Sequence, residues 1–181
     1  CLAYDASDEI VYIGTSMGVS AFDCKKDRFA NIEKLEQLKG EYISSFQLCN
    51  HNCLWIGSRN GLWVYNPQND AISHFTTEQG MSHNVVRALA GGKGCVWAST
   101  DNGLTCITTD LICYPFFDSD GLHNIVFSNN AALTTADGTV LLGSYNGYIS
   151  IPPEDIEARL PKLHVEFTDF RINGISDTQF P

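Results

Sequence analysis

The sequence predicts an all-β fold, a partial β-propeller of four four-stranded blades with a truncated first blade, and three observations lead to that prediction. First, a strand motif that ends on glycine recurs four times, and the glycines Gly18, Gly61, Gly103 and Gly147 stand 43, 42 and 44 residues apart. Second, the strands of the motif are apolar at consecutive positions. Third, turn-forming residues separate short apolar runs along most of the chain. Such a period, made of short strands, is typical of propeller blades.

The repeated motif also predicts where the core lies. Its four copies are Val11-Tyr-Ile-Gly-Thr-Ser-Met-Gly18, Leu54-Trp-Ile-Gly-Ser-Arg-Asn-Gly61, Val96-Trp-Ala-Ser-Thr-Asp-Asn-Gly103 and Val140-Leu-Leu-Gly-Ser-Tyr-Asn-Gly147. Strands that are apolar on both faces need cover on both faces, which a blade obtains from its two neighbours. The aromatic position shared by Tyr12, Trp55 and Trp97 is therefore predicted to be core between blades. The glycine after the apolar run predicts close approach of a neighbouring blade.

The four blades are expected at about 1–33, 43–77, 85–117 and 129–151, so that the propeller part spans 1–151. Only a stub at 2–5 remains of the opening strand of the first blade. Asn-Gly pairs at 60–61, 102–103 and 146–147 predict two-residue hairpin turns in which both residues have positive φ. Met17-Gly18 takes that place in the first repeat.

Two segments depart from the blade pattern. Ile32, Leu35 and Leu38 are three residues apart and predict a short helical turn between the first and second blades. After Ile151, two prolines stop the strand, and 152–161 is predicted to be a linker with a short helical turn. Residues 162–181 then begin with a long strand that does not repeat the blade pattern.

Composition excludes several partners. The formal charge is −10, from 21 acidic and 11 basic residues, so the chain would repel nucleic acid and an anionic membrane surface. No apolar stretch approaches the about 18 residues that a membrane span needs. The N-terminus begins at Cys1, with neither an initiating Met nor a basic signal-peptide region, and we expect it to be a cut end.

The seven cysteines leave at least one thiol unpaired within the chain. Cys49 and Cys53 flank one short turn, and Cys106 and Cys113 flank another, so either pair is a candidate for a disulfide across a hairpin. The favoured interpretation is that the cysteines are small, reduced, mostly buried residues.

No catalytic motif is present, and the metal candidates are weak. The stretch 118–121 begins like a calcium loop, but the closing glutamate of such a loop falls at Asn129, so an acidic turn is favoured. Cys49, His51 and Cys53 offer three soft ligands at a spacing unusual for zinc. We expect no metal and no cofactor. Trp63 has no aromatic equivalent in the other repeats; packing is favoured for it over stacking on a sugar ring.

Candidate ligand contacts come from geometry. In a propeller, the turns between second and third strands and the linkers between blades emerge at the same end. The residues predicted there mix amides, a cation, a carboxylate and an aromatic ring, a set suited to hydroxyl-rich ligands. They are Arg59, Asn60, His83, Asn84, Asp101, Asn102, His123, Asn124, Tyr145 and Asn146. For the two His-Asn pairs, the favoured alternative is that they cap and shape the turns that enter the inner strands.

The motif from Leu54 to Leu62 and the linkers Gly80-Met-Ser-His-Asn-Val85 and Gly121-Leu-His-Asn-Ile125 resemble two-component regulator propeller repeats. The tail from Pro161 to Gly174 resembles the start of the triple-tyrosine β-sandwich that follows such propellers, so 162–181 would be the first strand of that sandwich. The third repeat departs from the pattern with Ala98-Ser99, and the fourth departs with Leu141 in place of tryptophan.

This resemblance implies a part of the periplasmic sensor region of a hybrid two-component system. The ligand would be a glycan-derived oligosaccharide, and the signal would pass to a histidine kinase elsewhere in the protein. The part present here is expected to be non-enzymatic. The alternatives are a propeller scaffold or dimerisation module that binds no ligand, and a propeller enzyme such as a polysaccharide lyase. Because an open arc exposes an apolar face at each end, self-association through the end blades is expected, with a small closed propeller as the alternative.

Overall fold

The fold is all-β, as the sequence predicts. A computed structural model describes residues 1–49, 53–123 and 125–153, and the backbone of 171–172 and 175–176. Four antiparallel sheets follow one another along the chain, and in each of them the strands are hydrogen-bonded in sequence order. Each sheet corresponds to one repeat of the motif and is called here the first, second, third or fourth blade. The arrangement is that of a partial propeller.

Fifteen strands form these blades. The first blade contains β1 to β4, at Leu2–Asp5, Ile10–Thr15, Gly18–Asp23 and Arg28–Ala30. The second contains β5 to β8, at Ile43–Leu48, Leu54–Ser58, Gly61–Asn66 and Ala71–Phe75. The third contains β9 to β12, at Val86–Gly92, Cys95–Thr100, Leu104–Thr108 and Cys113–Phe116. The fourth contains β13 to β15, at Phe127–Thr134, Val140–Ser144 and Gly147–Ile151.

The first blade differs from the prediction, which left only a stub of its opening strand. The opening strand β1 is short, yet all four of its residues pair with β2, so the first blade is a complete four-stranded sheet. The fourth blade has three strands within the described part of the chain. Strand β15 ends at Ile151 because Pro152 and Pro153 have no backbone N–H to continue a ladder.

The blades are arranged around an axis lined by their opening strands. Strand β5 packs beside β1 and β9, and β9 packs beside β13. Strands β5 and β13 also approach each other, so the arc curves strongly. A separate hydrophobic cluster fills each gap between blades. Tyr12, Trp55 and Trp97 are only 1%, 5% and 5% exposed, which confirms that the repeated aromatic position is core between blades.

Glycines allow the blades to approach closely at the predicted place. A Cβ on Gly14 would lie 2.7 Å from Cγ2 of Ile43, and a Cβ on Gly57 would lie 2.7 Å from Cγ1 of Val86. Ile43 and Val86 each belong to the next blade, whereas a Cβ on the equivalent Gly143 would lie 2.9 Å from Cβ of Ala131 in its own blade. The prediction that these glycines mark close inter-blade approach is therefore confirmed for Gly14 and Gly57.

The hairpin turns between second and third strands do not have the predicted conformation. Gly61 and Gly103 have φ of 125° and 91°, but Asn60 and Asn102 do not have positive φ. The prediction that both turn residues have positive φ was wrong because a hydroxyl at the end of the preceding strand holds the asparagine by its backbone N–H. The glycine is required for space as well, since a Cβ on Gly61 would lie 2.4 Å from the carbonyl oxygen of Phe75.

The segment between the first and second blades agrees with the prediction. A 3₁₀ helix spans Glu33–Leu38 and buries Leu35 and Leu38 against the first gap between blades, as their spacing predicts. The predicted helical turn after Pro153 and the residues 162–170 lie outside the described residues. Two short strands, β16 at Arg171–Ile172 and β17 at Ile175–Ser176, pair with each other.

In the described part of the chain, no helix has the length and apolar character that crossing a membrane would require.

Candidate functional site

The predicted ligand-contact residues that the structure describes lie at one end of the blades, called here the turn end. Backbone hydrogen bonds place them there. The amides of Arg59, Asp101 and Tyr145, each the first turn residue after a second strand, donate to the carbonyls of residues 42, 85 and 126, with N···O distances of 3.3, 3.1 and 3.1 Å. Each of those carbonyls belongs to the residue just before an inner strand. Turns and linkers therefore meet at one end in all three blades.

The second blade contributes a cation and an amide whose partners come from the preceding linker. The Arg59 guanidinium lies over the ring of Tyr42, with 4.3 Å from Cζ to the ring centroid. The Asn60 amide nitrogen donates to both carboxylate oxygens of Glu41, at 2.9 Å each. The carbonyl oxygen of Asn60 lies 2.8 Å from Nε2 of His74. These contacts hold both predicted residues in place while leaving them exposed.

The His-Asn pair at 83–84 shapes the linker. Nδ1 of His83 accepts a hydrogen bond from the amide of Val85 at 3.1 Å, and Oδ1 of Asn84 accepts one from the amide of Thr77 at 2.8 Å. This confirms the capping interpretation for this pair. In the second pair, Nδ1 of His123 lies 3.6 Å from a carboxylate oxygen of Asp118 on an exposed surface. Asn124 lies outside the described residues.

The third blade adds a cation that the sequence reasoning missed. Arg87 forms an ion pair with Asp101 through Nε, and its Nη1 donates to Oδ1 of Asn129 at 2.9 Å. Arg87 therefore connects the turn of the third blade to the inner strand of the fourth. The sequence feature that could have predicted this contact is Arg87 itself, a single charged residue inside an otherwise apolar strand.

The fourth blade presents an exposed aromatic residue among the predicted contacts. The ring of Tyr145 is 82% exposed. Oδ1 of Asn146 lies 3.0 Å from the hydroxyl of Ser144. In the third blade, Asn102 is exposed and is held through its backbone amide, which donates to Oγ1 of Thr100 at 3.3 Å. The turn end therefore combines one open aromatic ring with amides held by their neighbours.

A hydroxyl holds each of these turns, and the sequence reasoning overlooked it. The hydroxyl at the end of each second strand donates to the carbonyl of the closing glycine, at 3.0, 3.0, 2.9 and 3.1 Å in the four repeats. The four hydroxyl residues are Thr15, Ser58, Thr100 and Ser144. The signal was present, since a Ser or Thr stands three residues before every closing glycine.

Metal binding receives no support from the described residues, among which no group of three or more candidate ligands comes together. The acidic stretch at Asp118–Asp120 is a 3₁₀ turn in which Oδ2 of Asp120 accepts the amide hydrogen of Phe117 at 2.8 Å. This carboxylate closes its own turn, as the acidic-turn interpretation expects. His51 lies outside the described residues.

All seven cysteines are free thiols. Cys113 pairs in register with Ile107, so it lies on the sheet face opposite to Cys106, and this excludes the second candidate disulfide. Cys49 and Cys53 do face each other across their hairpin, with the amide of Cys49 donating to the carbonyl of Cys53 at 3.1 Å. Five of the seven are buried or half-buried in blades two and three or at their edges, as small core residues. The favoured interpretation is confirmed for them.

Trp63 packs, as favoured. It is half-buried against the cluster between the first and second blades. Its ring stacks on the imidazole of His74, with centroids 3.8 Å apart and planes at 10°. This stacking leaves no open face of Trp63 toward His74 for a ligand.

A cavity of about 690 Å³ opens at the end opposite to the turn end, between the second and third blades. None of the predicted contact residues lines it. Turns between first and second strands, and between third and fourth strands, form its rim.

Comparison with known proteins identifies the fold. No family model and no curated protein matches the chain. An extracellular domain of a protein described as a hybrid two-component system of B. thetaiotaomicron matches 97% of this chain with a TM-score of 0.75 and 21% identity, over 26% of that chain. A second such domain from the same organism matches 84% with a TM-score of 0.61 and 19% identity, over 20% of that chain.

An enzyme has a weaker likeness. Virginiamycin B lyase from Staphylococcus aureus matches 89% of this chain with a TM-score of 0.58 and 11% identity, over 55% of that chain. At these identities each likeness shows the fold. The chain spans about a quarter and a fifth of the two extracellular domains, so it corresponds to a part of each.

Proposed function

We propose that this chain is part of the extracytoplasmic sensor region of a two-component signalling receptor. The observation that carries the proposal is the fold likeness over 97% of the chain to an extracellular domain of a hybrid two-component system. The strong acidic balance, with a net charge of −10, fits a surface that does not bind nucleic acid. In the proposed receptor these blades lie in the periplasm, and the histidine kinase activity belongs to another part of the protein.

The proposed ligand is a glycan-derived oligosaccharide held at the turn end. Amides and carboxylates such as Asn102 and Asp101 pair with sugar hydroxyls, and an exposed aromatic ring stacks on the apolar face of a sugar. The exposed ring of Tyr145 meets that second requirement. Arg59 and Asn60 are already oriented by Tyr42 and Glu41, which lowers the entropy cost of binding.

Binding of oligosaccharides to the purified chain tests this assignment. A panel of oligosaccharides is titrated by calorimetry against the chain, the Tyr145→Ala variant and the Tyr148→Ala variant. Tyr148 is the matched control, because it is 72% exposed in the same blade but lies on the outward sheet face. We expect Tyr145→Ala to weaken binding by about 2- to 10-fold, the value of one aromatic contact, and Tyr148→Ala to leave it unchanged.

A panel without any binder, or equal effects of the two tyrosine variants, would contradict the turn-end assignment. These blades would then be a scaffold within the receptor. The turn end gives no particular support to the lyase alternative. Its candidate catalytic histidine, His83, already accepts a hydrogen bond at Nδ1 from the amide of Val85.

We also propose that the chain self-associates through its end blades. The register puts six apolar side chains on the outward face of the first blade, called here the first end face: Leu2, Tyr4, Val11, Ile13, Phe22 and Phe29. Three of them, Leu2, Tyr4 and Phe29, are 70%, 55% and 67% exposed. Leu133, Leu141 and Tyr148 form the corresponding face of the fourth blade. Such contiguous apolar surface favours cover by another protein surface.

A further inference from the structure

The cavity between the second and third blades has the size and shape of a ligand site. Its volume of about 690 Å³ lies within the range of about 300–1,000 Å³ found for small-molecule pockets. Trp55 and Val64 line it from the second blade, and Val96 and Ile107 line it from the third. Thr134 brings the fourth blade to its rim, where Oγ1 donates to the carbonyl of Gly91 at 2.7 Å.

The described lining residues carry no formal charge. Their polar groups are amides, hydroxyls and thiols. The side-chain oxygens of Asn66 and Asn69 accept backbone amides of residues 68 and 71, at 2.9 and 3.1 Å, which leaves both side-chain NH₂ groups as donors. Nε2 of Gln47 donates to the carbonyl of Leu48 at 2.7 Å, which leaves its side-chain oxygen as an acceptor.

Trp55 supplies a donor that the protein itself does not satisfy. The residue is 5% exposed, and its Nε1 is buried without a hydrogen-bond partner. A buried N–H without an acceptor costs free energy, and a ligand oxygen that reached Nε1 from the cavity would recover it. Trp63 provides an internal comparison, since its Nε1 is also buried and unpartnered but the residue packs on the opposite face of the same sheet, away from the cavity.

Burial raises the pKa of the Cys49 and Cys53 thiols in the lining and favours their neutral form. Cys49, Cys53 and Cys95 lie together along one wall. Burial, reinforced by the two neighbouring thiols, raises the pKa of Cys49 to about 11. The thiol is therefore protonated at neutral pH and adds apolar surface to the wall rather than negative charge.

We propose that this cavity binds a small uncharged molecule that presents an apolar face to the valine and isoleucine walls and oxygen acceptors to Trp55 and the asparagine amides. A charged ligand is disfavoured because no described lining residue offers a counter-charge, and a desolvated ion is costly without one. This inference stands independently of the proposed sensor role and concerns a site at the opposite end from the proposed oligosaccharide contacts.

Two matched probes test the inference on the unmodified chain. Phenyl β-D-glucoside is uncharged, and phenyl β-D-glucuronide has the same frame with one carboxylate. The three tryptophans give three indole N–H signals in a nitrogen–proton correlation spectrum. We expect the glucoside to shift the Trp55 signal saturably and to leave the Trp63 signal in place. The glucuronide should bind at least about tenfold more weakly.

Variants then distinguish binding at this cavity from nonspecific binding elsewhere on the protein. Trp55→Phe removes the N–H and keeps an aromatic ring, so we expect the glucoside Kd to rise about three- to tenfold. Trp63→Phe should leave the Kd unchanged. The inference is overturned if the glucoside leaves the Trp55 signal unmoved up to its solubility limit, if it shifts both indoles alike, or if the glucuronide binds equally well. The wild-type spectra decide the matter even if Trp55→Phe fails to fold.

Discussion

The same strand motif is packed differently in the interior blades and in the end blades. All five residues of β6 and all six of β10 are buried, in the second and third blades. In the first and fourth blades, Tyr12 is the buried residue of β2, and Val140 and Leu142 are those of β14. The sequence pattern is nearly the same in all four. Burial on both faces thus comes from having two neighbours and is not a property of the strand.

This difference gives the two classes of blade different roles. Interior blades are stabilised by two clusters each and enclose the cavity between them. End blades have one packed face, and their second face is apolar surface open to association. Substitutions of the same kind in the two classes of blade should therefore lower the free energy of unfolding by different amounts.

The largest difference is expected for aromatic truncation. Trp97→Ala, in the third blade, removes a side chain that is 5% exposed and should lower the free energy of unfolding by about 3–5 kcal/mol. Tyr145→Ala, at a turn of the fourth blade outside the proposed association face, removes a side chain that is 82% exposed and should change it by at most about 0.5 kcal/mol. Urea denaturation measures both. Equal losses would contradict the distinction between packed and exposed aromatic residues.

The next largest effect is expected where the second and third blades approach each other closely at Gly57. Gly57→Ala puts a Cβ 2.7 Å from Cγ1 of Val86 and should cost about 1–3 kcal/mol through overpacking. Gly91→Ala is the control, because its Cβ would meet only the flexible end of the Gln47 side chain, at 3.2 Å. Thermal denaturation of the two variants compares them, and the approach argument fails if Gly91→Ala costs as much.

Charge on the first end face should weaken self-association. The double variant Tyr4→Lys with Phe29→Lys places two ammonium groups on that face and should raise the dissociation constant between chains at least about tenfold. Light scattering over a concentration series measures it. Met17→Lys, at an exposed turn outside the face, is the control. A wild-type chain that is monomeric at all concentrations would rule the association out.

The turn hydroxyls allow a smaller test of the same contrast. Ser58 and Ser144 make equivalent bonds to a closing glycine carbonyl, but Ser58 is fully buried and Ser144 is half-buried. Ser58→Ala should cost about 1–2 kcal/mol, since it removes a buried hydrogen bond to the carbonyl of Gly61, and Ser144→Ala about 0.5 kcal/mol. Chemical denaturation of each variant gives the comparison. If the two variants lose the same free energy of unfolding, burial does not determine how much this hydrogen bond stabilises the protein.

The weakest expected effect is an alkaline loss of stability in the second blade. Burial, with Asp70 beside it, raises the pKa of Tyr65 to about 12. Since the fold favours the neutral phenol, this contribution is present below the usual tyrosine pKa of about 10 and is lost as pH rises toward 12. Urea midpoints across that range should fall less steeply in Tyr65→Phe than in the wild type. Tyr148→Phe, in an exposed ring, should behave like the wild type.

Local features were predictable because they depend on residues close together in the chain. The repeat period, the aromatic core position, the helical turn at Glu33–Leu38 and the capping by His83 and Asn84 all follow from spacing or from side chains near their partners. The asparagine conformation in the turns was mispredicted, because the hydroxyl three residues before each glycine was overlooked.

Features that combine distant segments were not predictable. The Arg87 bridge joins residues 42 apart in sequence, and the cavity is lined by residues from three blades. The candidate disulfide between Cys106 and Cys113 failed for a related reason: sheet register puts the two thiols on opposite faces, and spacing along the chain does not reveal register.

The amino-acid order alone was therefore sufficient for the number of blades, most of their strands and the apolar character of both strand faces, because a period of two in side-chain direction and a recurring glycine are local properties. Packing of whole blades decided which apolar faces are buried, which indole N–H is left without a partner and where an uncharged cavity opens. Those outcomes depend on how many neighbours each blade has and on how closely their backbones approach, and such distances exist only in the assembled arc.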